Sequence, residues 1–443
     1  MIELTKEINK EILADFDKNL NQDAINNVLK NAVAQVGIFS ATEKPEVKTI
    51  LNPSFNVTVD TGKVSDQKHS GRCWLFSALN TLRTDFANKH NLKDFELSQN
   101  YLSFWDRLEK SNYFYQEILQ TADLPVEDRK VNSLFSYPNG DGGLWQNAAN
   151  LVKKYGVVPN YVMPETSASD NTTEFDDVLG KLLRKNGIEL RQMVHDKATK
   201  DKLDKRLDDM LAEVYKLCVY SFGMPPTDFE LSLQADDGKL IAADKITPKE
   251  FLKRYFTIDV DDFVDLVNSP QTNKKYHQVY SIDTESSMVG GKTQKFLNLP
   301  MERLQELAIE QLKGNDPIWF GNDVLEDSDR KNGYLLGNIY QYDQLFGIDS
   351  QMDKAQRLDY GQGEVSHAMT LTGVNLIQGQ PNRWKVENSW GEKYGEKGYY
   401  TMDQKWFEDY VYDVVINKKY LTEKELSEYN QEPVVLPAWD ALA

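Results

Sequence analysis

The feature that most constrains the fold is a change in hydrophobic periodicity along the chain. After residue 73 the apolar residues Leu75, Leu79, Leu82 and Phe86 recur with the spacing of one buried helical face. The C-terminal third instead contains short β-rich segments such as "HAMTLTGVNLI" and "RWKVENSW", which are broken by Gly, Pro and Asn. Helices first and strands later predict an α+β fold with segregated halves.

Local patterns predict further elements along the chain. Residues 1 to about 40 have the periodicity of one or two amphipathic helices. The segment "NPSFNVTVD" alternates like a short strand. A helix is expected to begin at the cap residue Ser98, and another, "QNAANLVKKYG", to close at Gly156. Residues 165 to 270 are highly charged and helix-prone.

Composition excludes several classes of protein. The chain has 443 residues, 40% of them hydrophobic, which is ample for a sizeable core. Its net charge of −18 argues against a nucleic-acid or anionic-membrane partner, because phosphate binding needs clustered Lys and Arg. We expect no signal peptide and no membrane span. The two cysteines, Cys73 and Cys218, fit a reducing cytosol.

Cys73 lies in "DQKHSGRCWLFSAL", where a turn opens the apolar helix. The positive end of the helix dipole favours a thiolate there, yet position alone also fits a small packed residue. A nucleophilic thiolate needs an imidazole, a group that orients it, and donors for an oxyanion. His367 opens a β-like run, Asn388 follows 21 residues later, and Gln67 precedes the cysteine by six residues.

Around these four residues the chain resembles the papain superfamily of cysteine peptidases. The segments that carry the resemblance are "SGRCWLFSA", "ELSQNYL", "DGGLWQNAANLVKKYGVVP", "HAMTLTGV" and "VENSWGEKYGEKGYY", in the order of that family. His367 lies 294 residues after Cys73 (367 − 73), about twice the roughly 130–150 residues of papain and the cathepsins. With this insertion the chain most resembles the bleomycin hydrolase and bacterial aminopeptidase C family.

The resemblance implies a papain-like two-lobed α+β fold, with a helical lobe and a β-barrel-like lobe. It also implies a large helical insertion and an N-terminal helical arm. The expected divisions are an N-terminal arm (1–60), a helical lobe with the nucleophile (61–165), a mostly helical insertion (166–340), a β lobe with the histidine and asparagine (341–425) and an extended C-terminal arm in the cleft (426–443).

The resemblance also implies the catalytic roles. Cys73 is the expected nucleophile, paired with His367 as a thiolate–imidazolium couple. Asn388 is expected to accept a hydrogen bond from the imidazole and hold its orientation. Gln67 and the backbone N–H of Cys73 are expected to form the oxyanion hole. Trp390 is expected to shield the histidine–asparagine bond from water.

Substrate binding is expected at Gly142, Gly143, Trp390 and Ala443. The glycine pair offers a backbone without Cβ atoms, beside which a peptide can lie like an added strand, although an ordinary loop turn has the same composition. The resemblance places the terminal carboxylate of Ala443 against the α-amino group of a substrate. We expect His69 to lie at the surface and Cys218 in the core.

The function so implied is that of a cytosolic cysteine aminopeptidase of broad specificity, acting on peptides as a homohexamer. We expect no cofactor and no metal, because the chain has no His-Glu-x-x-His motif and no second cysteine near the first. An endopeptidase or oligopeptidase is the alternative if the C-terminal arm falls short of the amine site. A non-catalytic peptide- or nucleic-acid-binding homologue is a further alternative.

Overall fold

A computed structural model describes residues 6–283 and 286–442. The chain forms two compact units, one of Met1–Asn52 with Asn338–Gln351 and the other of Pro53–Gly337 with Met352–Ala443. The second unit contains the predicted catalytic residues. Within the described residues, no helix has both the length and the apolar character that crossing a bilayer requires.

The helices alternate with strands from the middle of the chain onwards. The helices are α1 Lys10–Leu20, α2 Ile25–Val36, α3 Ile38–Thr42, α4 Val47–Ile50, α5 Cys73–His90, α6 Gln99–Gln120, α7 Arg129–Ser136, α8 Trp145–Tyr155, α9 Ser167–Asp170, α10 Thr173–His195, α11 Lys200–Phe222, α12 Pro248–Tyr255, α13 Met301–Lys313, α14 Tyr342–Phe346, α15 Lys354–Tyr360, α16 Gln404–Tyr410 and α17 Glu423–Tyr429. The strands are β1 Val57–Thr58, β2 Phe229–Gln234, β3 Leu240–Ile246, β4 Phe263–Val267, β5 Gln278–Ile282, β6 Phe296–Asn298, β7 Ile318–Asn322, β8 Ser328–Asp329, β9 Tyr334–Leu335, β10 His367–Ile377, β11 Gln380–Glu387, β12 Tyr399–Asp403, β13 Val411–Asn417 and β14 Val434–Leu436.

Helix α5 is the centre of the helical lobe and follows the predicted apolar stripe. Leu75, Leu79, Leu82 and Phe86 are each at most 1% exposed, and they pack with residues of α6, α8, α10 and α11 in one core. The helix ends at Asn91, whose φ of +51° is left-handed. Because α5 is buried on nearly all sides, it holds its first residue, Cys73, in a fixed position.

The neighbouring helices begin and end at the predicted residues. The Ser98 side chain caps α6 by accepting a hydrogen bond from the backbone N–H of Tyr101 (3.0 Å). Gly156, with a φ of +77°, ends α8. A Cβ at Gly156 would lie 2.4 Å from the backbone of Pro248, so both the conformation and the close approach require glycine.

The strands of the second unit form one large mixed sheet and a separate hairpin of β2 and β3. In the sheet the order is β14-β5-β6-β4-β13-β7-β10-β11-β12-β9-β8, and β1 pairs with β10. Strand β10 pairs antiparallel with β7 on one side and with β11 on the other. The first residue of β10 therefore lies beside the end of β11, which brings His367 near Asn388.

The structure differs from the predicted divisions of the chain. The region 166–340 is mostly helical up to Phe222, but beyond residue 262 it alternates strands with helix α13, and strands β4 to β7 join the same sheet as β10 to β13. The β lobe thus begins near residue 263, well before 341. These strands are short and fully buried, so they lack the alternation by which a half-exposed strand is recognised.

The N-terminal unit also differs from the prediction, because it includes a second segment of the chain. Residues 338–351 join it through a hydrogen bond from the backbone N–H of Gln341 to Thr42 (2.8 Å). The rings of Phe39 and Tyr340 contact each other at 4.6 Å between centroids. The predicted amphipathic helices are α1 and α2, and neither contains a buried residue.

Candidate active site

Cys73 is the first residue of α5 and is half-buried. Helix α5 lies against β10, where the Ser77 hydroxyl donates to the carbonyl of Met369 (2.7 Å). Burial raises the pKa of the Cys73 thiol to about 11, while hydrogen bonds from the backbone of Ala368 and Trp74 act in the opposite direction. The Cys73 thiol therefore contacts the backbone of Ala368, the residue that directly follows His367.

His367 and Asn388 form a buried hydrogen bond of 2.9 Å between Nε2 and Oδ1. Since a carbonyl oxygen can only accept, the ring proton is on Nε2, and Nδ1 is the nitrogen that remains to accept a proton. Burial lowers the pKa of His367 to about 4, against the opposite effect of Asn388. The geometry is that of a proton acceptor held in one tautomer.

Trp390 packs on the imidazole of His367. Its ring lies 4.9 Å from the imidazole of His367, centroid to centroid, at an interplanar angle of 33°. The predicted role of Trp390 in shielding the histidine–asparagine bond from water stays a prediction. Its predicted part in substrate binding stays a prediction.

Gln67 lies on the loop before α5 and its side chain is buried. Ser389, the residue between Asn388 and Trp390, donates its hydroxyl to Oε1 of Gln67 (2.6 Å). The backbone N–H of Gln67 in turn donates to the carbonyl of Ser389 (2.7 Å). Because Oε1 of Gln67 accepts from the Ser389 hydroxyl, the amide nitrogen Nε2 is the donor of this side chain. Nε2 donates a hydrogen bond to the carbonyl of Ser70.

Ser389 is a positioning residue that sequence reasoning missed. The signal was present, because the serine lies inside the "ENSWG" segment that carries the resemblance. A serine between two assigned residues has many possible partners, however, and only the fold brings the loop of Gln67 to it. The bond joins the loop before the nucleophile to the loop after β11.

The glycine pair lies beside the nucleophile helix. A Cβ at Gly143 would come within 2.8 Å of the Trp74 indole, whereas a Cβ at Gly142 would meet nothing within 4 Å. Gly143 is therefore required by packing, whereas Gly142 leaves space at its Cβ position while its carbonyl accepts a hydrogen bond from Nζ of Lys110. Both residues line a cleft of about 440 Å³ that also contacts Lys110 and Ala438.

Asp141 is a second residue that sequence reasoning missed. Its carboxylate accepts hydrogen bonds from the backbone N–H of Gly71 and from the hydroxyl of Thr172, and its carbonyl accepts from Trp74 Nε1 (2.7 Å). Although burial opposes ionisation, Arg107 and these donors hold the pKa of Asp141 below its ordinary value. Asp141 thereby ties the glycine loop to the turn that precedes Cys73.

Three further predicted residues are Ala443, His69 and Cys218. Ala443 falls outside the described residues, so its predicted contact with a substrate stays a prediction. Leu442, directly before it, is 3% exposed and packs with Leu436. His69 is exposed, and Cys218 is buried in the core of the helical lobe.

A thiol at a helix start, an imidazole held by an asparagine and an amide donor on the loop before that helix are the parts of a papain-like thiol peptidase. The model of the Peptidase C1-like family matches residues 7–443. The chain belongs to this family.

Several characterised relatives match along nearly the whole chain. The chain is 45% identical over 443 residues to aminopeptidase E of Lactobacillus helveticus (100% of this chain, 99% of the relative). It is 41% identical over 442 residues to aminopeptidase C of the same organism (99% and 98%). The crystal structure of PepW from Lactobacillus rhamnosis HN001 superposes with a TM-score of 0.97 at 44% identity, covering 98% of each chain. The predicted family and fold class are confirmed, and the predicted enzyme class, a cysteine-type aminopeptidase, agrees with these matches.

Proposed function

We propose that the protein is a cysteine aminopeptidase of broad specificity that removes N-terminal residues from peptides through a thioester acyl-enzyme. The observation that carries the proposal is the contact of the Cys73 thiol with the backbone of Ala368, next to a histidine held by Asn388. The names of the relatives support the aminopeptidase class.

The charges on the thiol and the imidazole form together. Burial opposes the thiolate and the imidazolium when each is taken alone. A proton that passes from Sγ to Nδ1 creates both charges at once, and their attraction at short range offsets the loss of hydration. The thiolate and the imidazolium are thus stable only in each other's presence, and the thiolate of this ion pair is the nucleophile.

The reaction then proceeds in two halves. The Cys73 sulfur attacks the scissile carbonyl carbon, and the carbonyl oxygen takes up the negative charge beside the Cys73 N–H and Gln67 Nε2. As the C–N bond breaks, His367 gives its Nδ1 proton to the leaving amine and a thioester remains. His367 next takes a proton from water, whose oxygen attacks the thioester; the C–S bond breaks, the N-terminal amino acid leaves, and the thiolate of Cys73 is restored beside the imidazolium.

The C-terminal arm is the feature that supports removal of single residues. Ala438 lines the same cleft as Gly142 and Gly143, and Leu442 packs in a cluster that contacts Leu144. We propose that the carboxylate of Ala443 meets the α-amino group of the substrate. The arm then closes the groove to longer chains.

An oligopeptidase is the second candidate function. The open cleft of about 440 Å³ beside Ala438 offers room for residues on the N-terminal side of the scissile bond. One comparison separates the two functions. Aminoacyl-naphthylamides with a free amine should be cleaved far faster than N-blocked peptides, and iodoacetamide should stop both reactions. Equal rates on the two substrates would favour the oligopeptidase.

We further propose a cytoplasmic homohexamer. Cys73 and Cys218 are both free, and a thiol nucleophile has to stay reduced to act. Helices α1 and α2 leave apolar residues such as Phe16 and Val28 about 60% exposed, which favours burial against another copy. Light scattering on the protein as it elutes from a size-exclusion column measures its mass, and a monomer of the full chain would contradict the hexamer.

We also propose that the protein has no nucleic-acid partner. Binding of DNA at low salt would contradict this.

A further inference from the structure

The C-terminal arm is predicted to be extended over 426–443, but helix α17 continues to Tyr429, and the described part of the arm, residues 430–442, is a short strand followed by a tight turn. Strand β14 pairs parallel with β5, with Val434 opposite Tyr280 and Leu436 opposite Ile282. After the strand, the backbone N–H of Asp440 donates to the carbonyl of Pro437 (2.9 Å). The turn reverses the chain just before its last residues.

Asp440 both closes the tip of the arm and docks it. Its Oδ1 accepts a hydrogen bond from the backbone N–H of Leu442 (3.1 Å). Its Oδ2 lies 3.0 Å from Nζ of Lys274. The Asp440 carboxylate therefore fixes the conformation of the last turn through Leu442, and it fixes the position of that turn through Lys274.

Lys274 is unusual because its side chain is only 1% exposed. Its ammonium also donates to Oε1 of Gln271 (2.7 Å), and Gln271 is itself held by Asp359 (2.7 Å). Among the described residues, Asp440 has the only carboxylate within ion-pair distance of Lys274. Departure of the arm would leave a buried ammonium without a counter-charge, which is strongly unfavourable.

The position of the tip affects the cleft directly. Leu442 and Leu436 share a cluster with Leu144, and Leu144 directly follows Gly143, which packs on Trp74 beside the nucleophile. A displacement of Asp440 would therefore move the last residues of the arm relative to the glycine pair.

We propose that Lys274 is a specificity-determining residue. By holding Asp440 it sets the position of the arm in the cleft, and hence the preference for substrates with a free α-amino group. This inference rests on the proposed aminopeptidase function.

The test uses the variants Lys274→Met and Asp440→Asn in the full chain. Asparagine keeps the oxygen that accepts from Leu442 but removes the charge. Lys275→Met is the matched control, because that neighbouring side chain is exposed. The quantity measured is kcat/KM for a free-amine aminoacyl-naphthylamide divided by kcat/KM for an N-blocked peptide. Loss of a buried ion pair should lower this ratio about tenfold or more in both variants and leave it unchanged in the control.

Hydrogen exchange of the arm provides a second measurement that does not depend on activity. Residues 434–442 should lose protection in Asp440→Asn, a variant close to the chain end that is expected to fold even if Lys274→Met does not. If the wild type prefers free amines and Asp440→Asn keeps that preference, Lys274 does not set specificity, while the proposed function stands. If the wild type shows no such preference, the proposed function fails. In that case unchanged protection of the arm would also overturn the role of Lys274 in docking.

Discussion

Two regions of the molecule, the contact of α5 with the sheet and the C-terminal arm, differ in the number and kind of interactions that fix them in place. Helix α5 buries twelve of its eighteen residues and is joined to the sheet by hydrogen bonds and an ion pair. The arm has three residues of strand pairing, one ion pair, and a cation–π contact of Arg129 with Trp439 (4.1 Å), and Val435 is 63% exposed. The atoms proposed to break the bond are thus held by dense packing, whereas the segment proposed to select the substrate is held by a three-residue strand, a small apolar cluster and a few polar contacts. Specificity can therefore change without disturbing the chemistry.

The largest expected effect lies at the nucleophile. Cys73→Ser should lower kcat by at least about 10⁴-fold, because a serine hydroxyl is far less acidic than a thiol. Thermal unfolding should be almost unchanged, since the two side chains are similar in size. Turnover and alkylation of purified protein measure this. Full activity in a protein alkylated at Cys73 would refute the assignment.

The next effect is on the pH dependence of alkylation. In His367→Gln the thiol loses its proton acceptor, while burial still holds the pKa of Cys73 near 11. The thiolate then forms only as the pH rises towards that value. Reaction with iodoacetamide at pH 7, about four pH units below that pKa, should therefore fall by about 10⁴-fold and recover only in strongly alkaline solution. A variant with the wild-type pH profile would show that the imidazole does not ionise the thiol.

A smaller loss is expected at the oxyanion site. Gln67→Ala should lower kcat by about 10²-fold with little change in KM, because the amide acts on charge that develops in the transition state. Ser389→Ala keeps the amide but loosens it, so its loss should be smaller. Steady-state kinetics of both variants test the order. Equal effects on kcat and KM would instead indicate a general disturbance of the loop.

The Arg83–Glu387 ion pair tests the contact between α5 and the sheet through stability. Glu387, buried beside Asn388, pairs with Arg83 of α5 (2.8 Å) and also accepts a hydrogen bond from Asn80 (3.0 Å). Arg83→Met leaves a buried carboxylate and should cost about 3 kcal/mol of unfolding free energy.

The pH dependence of that loss has a definite sign. Burial raises the pKa of Glu387 even with Arg83 present, and removal of the arginine raises it further. A raised carboxyl pKa weakens the folded state as the pH rises above the ordinary value near 4.5. The loss in Arg83→Met should therefore be larger at pH 8 than at pH 5 in urea unfolding. A loss that is independent of pH would point to packing alone.

The smallest expected effect concerns the chain end. Deletion of Ala443, or amidation of its carboxylate, should weaken cleavage of free-amine substrates relative to N-blocked peptides by about tenfold, the loss typical of one exposed charged contact. Absolute rates on blocked peptides should hold or rise. If both substrates respond alike, the carboxylate is not the amine anchor, and the contrast between the two regions weakens.

Local patterns predicted the parts of the fold that depend on local forces. The stripe of α5, the Ser98 cap and the Gly156 end all follow from near neighbours in sequence, and the structure has them. The strands between residues 263 and 322 escaped prediction because they are short and buried on both faces. The pairing of residues 338–351 with the N-terminal segment left no signal either, since it joins positions about 300 apart.

By itself, the sequence determined which groups are available for chemistry: a thiol at a helix start, a histidine at a strand start, an asparagine and a glutamine, in an order typical of one family. Tertiary structure alone decided what those groups contact. The bond from Ser389 to Gln67, the link from Asp141 to Gly71 and the pairing of Lys274 with Asp440 each join residues far apart in the chain. Such contacts depend on burial and on the exact approach of backbones, which no local pattern encodes.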